Sequence, residues 1–531
     1  MFTSLNNELF RKKNFFIIFF FFILFLLGVT IFDDYGIAFD EDIQRSIGLS
    51  NYDYVSKIFQ NEKIDINYPH YGIAFELPLV FLEKIFGINS IENIYLFRHF
   101  LIFLTTVVGH IVFFLLLKKQ FGSIYLSLFG SFILIISPRF FAESFYNSKD
   151  IIFMHSFIIC VFFGIKFLER PDLANSFLFA LTSAMSANIR LAGLLVPLFI
   201  FYFILIKFLR NDYKYQISFK ILINLLFLLF LVVIFWPYLW SNPFDNFLNS
   251  FFVFKNYDID LINFYAGKYV PAKIVDWYYL PLWISVTTPF YILFFFFINF
   301  FRTVRRAMKR LIMMSDVKKL NDLWRGEREL YNLIFLSIIF ISLFLSVIFN
   351  STLYGGWRHF YFIYPFIIIL AISEIRFFTL FFKKFRVFLF FLLFICILFQ
   401  IKWMFVNHPH QNVYFNFIGG NKSHLNYEVD YWGLSNKYAL EKILSSKKES
   451  ETISISNISD TNLVNNLLFL KLDGKDKIIY KDVSEKPDFL IDNNYFFNPM
   501  NKKRRRTLND YSIFDQLYVG DILVTTIYKK K

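Results

Sequence analysis

The sequence predicts an α-helical polytopic membrane protein of about eleven spans with a small α/β domain at its carboxy end. Three observations predict it. Hydrophobic residues make up 56% of the 531-residue chain and charged residues only 18%, where a soluble domain is about a quarter charged. Apolar runs of span length alternate with short polar loops up to about Phe405. Beyond Phe405, Lys, Asn, Asp and Ser become common. A run of about 20 apolar residues crosses a bilayer because a helix satisfies its own backbone hydrogen bonds there.

In order, the expected spans are 15–32, 96–117, 123–138, 149–168, 174–188, 191–208, 218–237, 280–301, 331–349, 357–374 and 386–405. Arg11-Lys12-Lys13 precedes the first, which is too long for a signal-peptide core and lacks a small-residue cleavage site. It is therefore retained, with the amino terminus in the cytoplasm. Alternation then places Lys118-Lys119, Lys207–Lys220, Arg302–Arg328 and Arg376–Arg386 inside, and all are basic. The first outer loop, 33–95, is instead dominated by Asp and Glu, which satisfies the positive-inside asymmetry. The net charge of +14 is accounted for by these loops, so no nucleic-acid partner is implied. Within the first loop, Tyr71–Gly87 reads as an interfacial helix on the outer side, with a re-entrant span as the alternative. Residues 406–531 fall outside and read as mixed α/β: a helix at Ser435–Leu444, and strands at Thr452–Ser456, Lys477–Tyr480, Asp488–Ile491 and Ile522–Tyr528. Lys502–Arg506 reads as a solvated basic run. His408 and His410 flank Pro409 as a polar linker. Cys160 and Cys396 lie in apolar runs, which argues against a disulfide or metal site.

The chemistry-bearing stretch is Phe39-Asp40-Glu41-Asp42-Ile43 in the first outer loop. Acids just past a span mouth can act as a general base, bind a cation, or simply be solvated. Neither a Walker-type loop nor a Rossmann fingerprint is present. Further along stand Tyr68-Pro69-His70-Tyr71-Gly72 before an apolar helix ending in Phe86-Gly87, then Arg98, Gly109 and Leu115–Gly122. Ser137-Pro138-Arg139 is followed by Asp150, and Trp357-Arg358-His359-Phe360 leads to Pro365. This ordered set resembles the membrane glycosyltransferases of the GT-C superfamily, of the protein O-mannosyltransferase and aminoarabinose-transferase-like type. It covers most of residues 15–405. Asn147-Ser148-Lys149 departs from the small and hydroxyl residues usual before the second acid. The carboxy-terminal part does not resemble a β-trefoil. His408–Asn416, Gly419-Gly420 and Tyr427–Gly433 resemble a stretch of bacterial glycosyltransferases instead.

The resemblance implies a glycosyltransferase domain over 1–405 and a soluble extracytoplasmic domain over 406–531. It implies transfer of a sugar from a polyprenyl-phosphate donor to a lipid, glycan or protein acceptor at the outer face of the membrane. The expected location is the bacterial inner (plasma) membrane. Asp40 is the implied general base, Glu41 its orienting or sugar-binding neighbour, and Asp150 the second acid. Arg98, Arg358, Arg190 and His359 are the implied contacts to the donor phosphate. His99, Arg139 and Lys149 are further basic groups at the same interface. A divalent metal ion is left open, with Asp40 and Asp150 as its ligands if one binds. Two other readings remain: a transporter or flippase of a lipid-linked saccharide, and a non-catalytic subunit of a glycosylation complex.

Overall fold

The computed structural model describes residues 2–58, 65–210, 217–255, 257–312, 323–446, 452–459, 461, 463–470, 475–493 and 507–531. Lys502–Arg506 therefore lies outside the described residues. The first apolar run forms α1 (Phe2–Ile31), whose outer faces carry exposed Phe, Leu and Ile. An apolar surface of this kind is stable only in lipid. The first loop folds into α2 (Glu41–Lys57) and α3 (Glu76–Ile85), which pack together and against α4 (Ile91–Phe121). Ser90 caps α4 with its hydroxyl on the Asn93 N–H, and Gly122 ends it in the left-handed conformation, φ 65°.

The next apolar segment is bent. α5 (Ile124–Ile135) and α6 (Pro138–Tyr146) meet at 71°. Pro138 lacks an N–H and starts the second helix from an extended Ser137. The chain continues through α7 (Asp150–Glu169), α8 (Leu173–Ala187), α9 (Leu195–Leu209) and α10 (Ile217–Ile234). After α11 (Pro243–Lys255), a hairpin of β1 (Ile262–Tyr265) and β2 (Lys268–Pro271) leads to α12 (Tyr279–Thr287). Extended Thr288 and Pro289 separate α12 from α13 (Phe290–Ile312), so the expected span 280–301 is broken. α14 (Glu327–Ile348), α15 (Tyr364–Phe381) and α16 (Arg386–Val406) complete the apolar part.

Among the described residues, seven helices are long and apolar enough to cross a membrane, or eight if the bent α5–α6 pair counts as one. The eleven expected spans are thus not all matched by continuous helices. α8 has only 15 residues. α13 carries Arg302, Arg305, Arg306, Lys309 and Arg310 along its second half. Three of these arginines have acidic partners: Arg302 pairs with Glu374 of α15, and Arg306 and Arg310 both pair with Glu329 of α14. The core beneath these helices is aromatic and aliphatic, centred on α4, α7, α14 and α15.

Residues after Val406 build a five-stranded sheet in the order β4 (Ile478–Tyr480), β3 (Ile453–Asn457), β5 (Phe489–Asp492), β7 (Ile522–Lys530), β6 (Tyr511–Val519). The first three strands are parallel; β7 joins β5 and β6 antiparallel. α17 (Ser435–Ser445) and α18 (Leu463–Phe469) cover it through Ala439, Leu440, Ile443, Leu463 and Leu467. The expected helix and four strands are all present. β6 and α18 are additional. This unit seats on the first loop: Phe469 packs with Ile37 and Tyr95. Asn466 accepts the Ile37 N–H and donates to the Ile37 carbonyl, both at 2.9 Å.

Candidate active site

Four helix ends converge where the first loop meets the carboxy-terminal unit. Asp40 stands at the start of α2, Asp150 at the start of α7, Arg190 just after α8 and Arg358 in the turn before α15. Arg358 Nη1 donates to Asp40 Oδ2 at 2.8 Å and to Asp150 Oδ2 at 3.3 Å. Arg190 Nη2 donates to the other oxygen of Asp150. The result is an alternating chain, Asp40–Arg358–Asp150–Arg190. Asp150 is wholly buried, whereas the Asp40 side chain keeps 22% exposure. Asp40 is thus the carboxylate that an incoming molecule can reach.

Basic groups outnumber acids here. The Lys149 amine lies 3.5 Å from the centre of the Tyr71 ring, within electrostatic reach of Asp40, Asp150, Arg190 and Arg358. His359 lies beside Asp150 and Arg358. Among the described residues, Arg190 Nε, Arg358 Nε and His359 Nδ1 are buried without a hydrogen-bond partner. Buried donors without acceptors are costly. An anion seated among them would satisfy them.

Asn147 explains the departure noted before Asp150. Its side-chain oxygen accepts the N–H of Asp150 at 2.7 Å and of Lys149 at 3.2 Å, capping the first turn of α7. Its amide donates to Glu143 at 2.7 Å and to Asp150 Oδ2 at 3.4 Å. Ser148 donates to Glu76. The amide and hydroxyl therefore hold the second acid in place.

The other expected residues are placed elsewhere. Arg98 does not join the cluster: it is 1% exposed and both its terminal nitrogens are engaged, by Glu76 and by Glu83 at 2.9 Å. Its charge is matched within the first loop. Glu41 accepts the Ala38 N–H at 2.7 Å and lies 3.1 Å from His99 Nε2, so it closes the entry to α2. Arg139 donates to the Tyr414 carbonyl at 3.0 Å and stacks 4.9 Å from the Phe415 ring centre. His408 lies 2.7 Å from Asp34. A divalent cation bridging Asp40 and Asp150 does not fit this arrangement, because the Arg358 guanidinium fills the place between them.

Several site residues come from aromatic positions to which the sequence assigns no role. Tyr431 accepts from Arg358 Nη2 at 2.8 Å, and the rings of Tyr354, Tyr431 and Trp432 lie 4.6–5.1 Å from the guanidinium. Tyr71 donates to Tyr257 at 2.9 Å. Burial first, then this bond, pushes the Tyr71 phenol up. Tyr257, between α11 and β1, reaches the cluster through this contact with Tyr71. The signal for Tyr431 is the Tyr427–Gly433 motif itself.

No family model matches the chain, and no curated protein matches it. Among solved structures it is similar to the oligosaccharyltransferase of Archaeoglobus fulgidus in the apo form. Identity is 12% and the TM-score 0.49, over 83% of this chain and 62% of that one. The chain thus spans less than two thirds of that protein's length. The archaeal oligosaccharyltransferase AglB of the same organism, in complex with an inhibitory peptide and a dolichol-phosphate, matches at 12% identity and TM-score 0.49, over 98% and 74%. The chain is similar along its length to ArnT from Cupriavidus metallidurans bound to undecaprenyl phosphate, at 12% identity and TM-score 0.49, covering 97% of each chain.

Proposed function

We propose that this chain is a membrane glycosyltransferase of the GT-C type that moves a sugar from a polyprenyl-phosphate donor to an acceptor hydroxyl or amine outside the cytoplasm. The observation that carries the reading is the alternating Asp40–Arg358–Asp150–Arg190 chain with unpartnered buried donors beside it. An acceptor must lose a proton as it attacks the anomeric carbon, and the accessible carboxylate of Asp40 is the base. The leaving group is a lipid phosphate whose charge grows as the bond breaks. Arg190, Arg358 and Lys149 supply the compensating cations, and His359 a further donor. Arg98 is assigned a structural role. Asp150 fixes both arginines and touches neither sugar nor acceptor.

The apolar helices bring the lipid carrier to this place, and residues 406–531 are a domain on the same, outer face. The test uses purified protein in lipid with a panel of polyprenyl-phosphate sugars and membrane extract as acceptor. Wild type releases polyprenyl phosphate. Asp40→Asn loses about 10²–10⁴-fold of that rate at unchanged donor binding. Donor binding without release by either protein would overturn the reading.

A further inference from the structure

The segment 428–432 touches both halves of the Asp40–Arg358 pair. On one side the Trp432 carbonyl accepts the N–H of Phe39, next to Asp40, at 2.9 Å. On the other, Glu428 Oε1 accepts the N–H of Gly356 at 2.9 Å, two residues before Arg358. Between them the Tyr431 hydroxyl accepts from Arg358 Nη2, leaving Nη1 for the two carboxylates. The turn held in this way needs its glycines. Gly355 and Gly356 have φ of 64° and 70°, and a Cβ on Gly355 would lie 2.8 Å from the Tyr431 ring. The segment is itself anchored. Asp430 accepts the N–H groups of Leu434 at 3.2 Å and Ser435 at 3.1 Å, at the start of α17. Asn466 then grips Ile37 from the same unit, on the approach to Asp40.

We propose that residues 428–432 are a clasp from the carboxy-terminal unit that sets the pairing of Asp40 with Arg358, with Tyr431 a positioning residue that acts through Arg358. A guanidinium on a long side chain has many rotamers, and two stacked rings plus one hydroxyl reduce them to one. The loop of Asp40 and the turn of Arg358 are separated by 318 positions in sequence. The clasp hydrogen-bonds to the backbone of both.

The experiment uses the full chain in lipid, and its activity arm alone rests on the glycosyl-transfer reading. Tyr431→Phe keeps the ring and removes the hydroxyl. It lowers kcat for polyprenyl-phosphate release about tenfold, the scale of one hydrogen bond to a charged group, with KM for donor within about twofold of wild type. In an Arg358→Lys background the same substitution has no further effect. Multiplying losses in the double variant, or full activity of Tyr431→Phe, would overturn the role. A second arm measures amide hydrogen exchange. Tyr431→Ala speeds exchange at Phe39 and Gly356 at least about tenfold while amides in the middle of α4 stay unchanged. Unchanged exchange at both sites would overturn the clasp. If wild type releases nothing from any donor, the functional reading fails and the exchange arm still decides the clasp.

Discussion

Two arginines of similar sequence setting have opposite fates. Arg98 sits in the second turn of α4 and Arg358 in the turn before α15, and each is almost fully buried. Arg98 meets two buried carboxylates of the first loop, Glu76 and Glu83, and Glu83 also holds Arg45 at 3.0 Å. Its charge is fully offset there. Arg358 meets Asp40 and Asp150, which it shares with Arg190. Replacing one member of a buried ion pair strands the other charges, at a cost of about 3–5 kcal/mol. Arg98→Met therefore lowers the unfolding temperature in detergent strongly, and leaves KM for donor unchanged in the fraction that stays folded. A raised KM with normal stability would return Arg98 to the donor site. Sequence alone singles out Asp40, Asp150, Arg190 and Arg358 by residue type and order. It gives no sign that Arg98 is spoken for, because Glu76 and Glu83 lie on another helix and reach it only after folding.

At the scale of elements, close backbone approach decides where the first loop sits. A Cβ on Gly72 would collide with the backbone of Asn188, and the Asn188 carbonyl accepts the Ala74 N–H at 3.2 Å. This contact puts Tyr71 beside Lys149 and the end of α8. Gly72→Ala forces the two segments apart, with a stability loss of about 1–3 kcal/mol, read as a lower melting temperature. Burial pushes the Glu428 carboxyl up to about 7, against the N–H of Gly356 that pulls it down. The folded chain thus keeps a proton that the unfolded chain, with its glutamate near 4.5, gives up. The contribution of Glu428 to stability is complete below about 4.5 and falls as pH rises to about 7. Glu428→Gln flattens this slope, which thermal unfolding across that range measures. Most of the apolar helices, α17 and four strands of the five-stranded sheet were legible from hydropathy and periodicity, whereas α2, α11 and the β1–β2 hairpin were not read. Nor was β6: register shifts around Ile513 and Asp515, and again at Leu517 and Tyr518, interrupt its alternation. α18, at seven residues, is too short to show a period. The bend at Ser137-Pro138 and the break at Pro289 were visible as prolines, but an apolar run hides whether the chain passes through the bilayer or turns within it.

For the whole molecule, the proposed orientation sets the carboxy-terminal unit and the charge cluster on one face and the basic loops on the other. Cys160→Ser with Cys396→Ser gives a background free of thiols, since these are the two cysteines of the chain. In intact cells a membrane-impermeant maleimide labels Ser512→Cys, and labels Lys309→Cys only after permeabilisation. The reverse pattern would overturn the orientation. The distribution of charge along the sequence is what suggests this orientation. What the sequence concealed is that the last quarter of the chain reaches back into the site. The Tyr427–Gly433 motif was visible, but nothing local connects Trp432 to Phe39 or Tyr431 to Arg358.

That reach has a consequence for synthesis. A ribosome completes every apolar helix, together with Asp40, Asp150, Arg190 and Arg358, before it adds Glu428, Tyr431 and Asn466. Until those late residues arrive, Phe39 and Gly356 lack the acceptors that fix them, and the guanidinium of Arg358 has the ring of Tyr354 but not those of Tyr431 and Trp432. A nascent chain can therefore hold all four charged residues of the cluster and still lack the contacts that, on the proposal above, set their pairing.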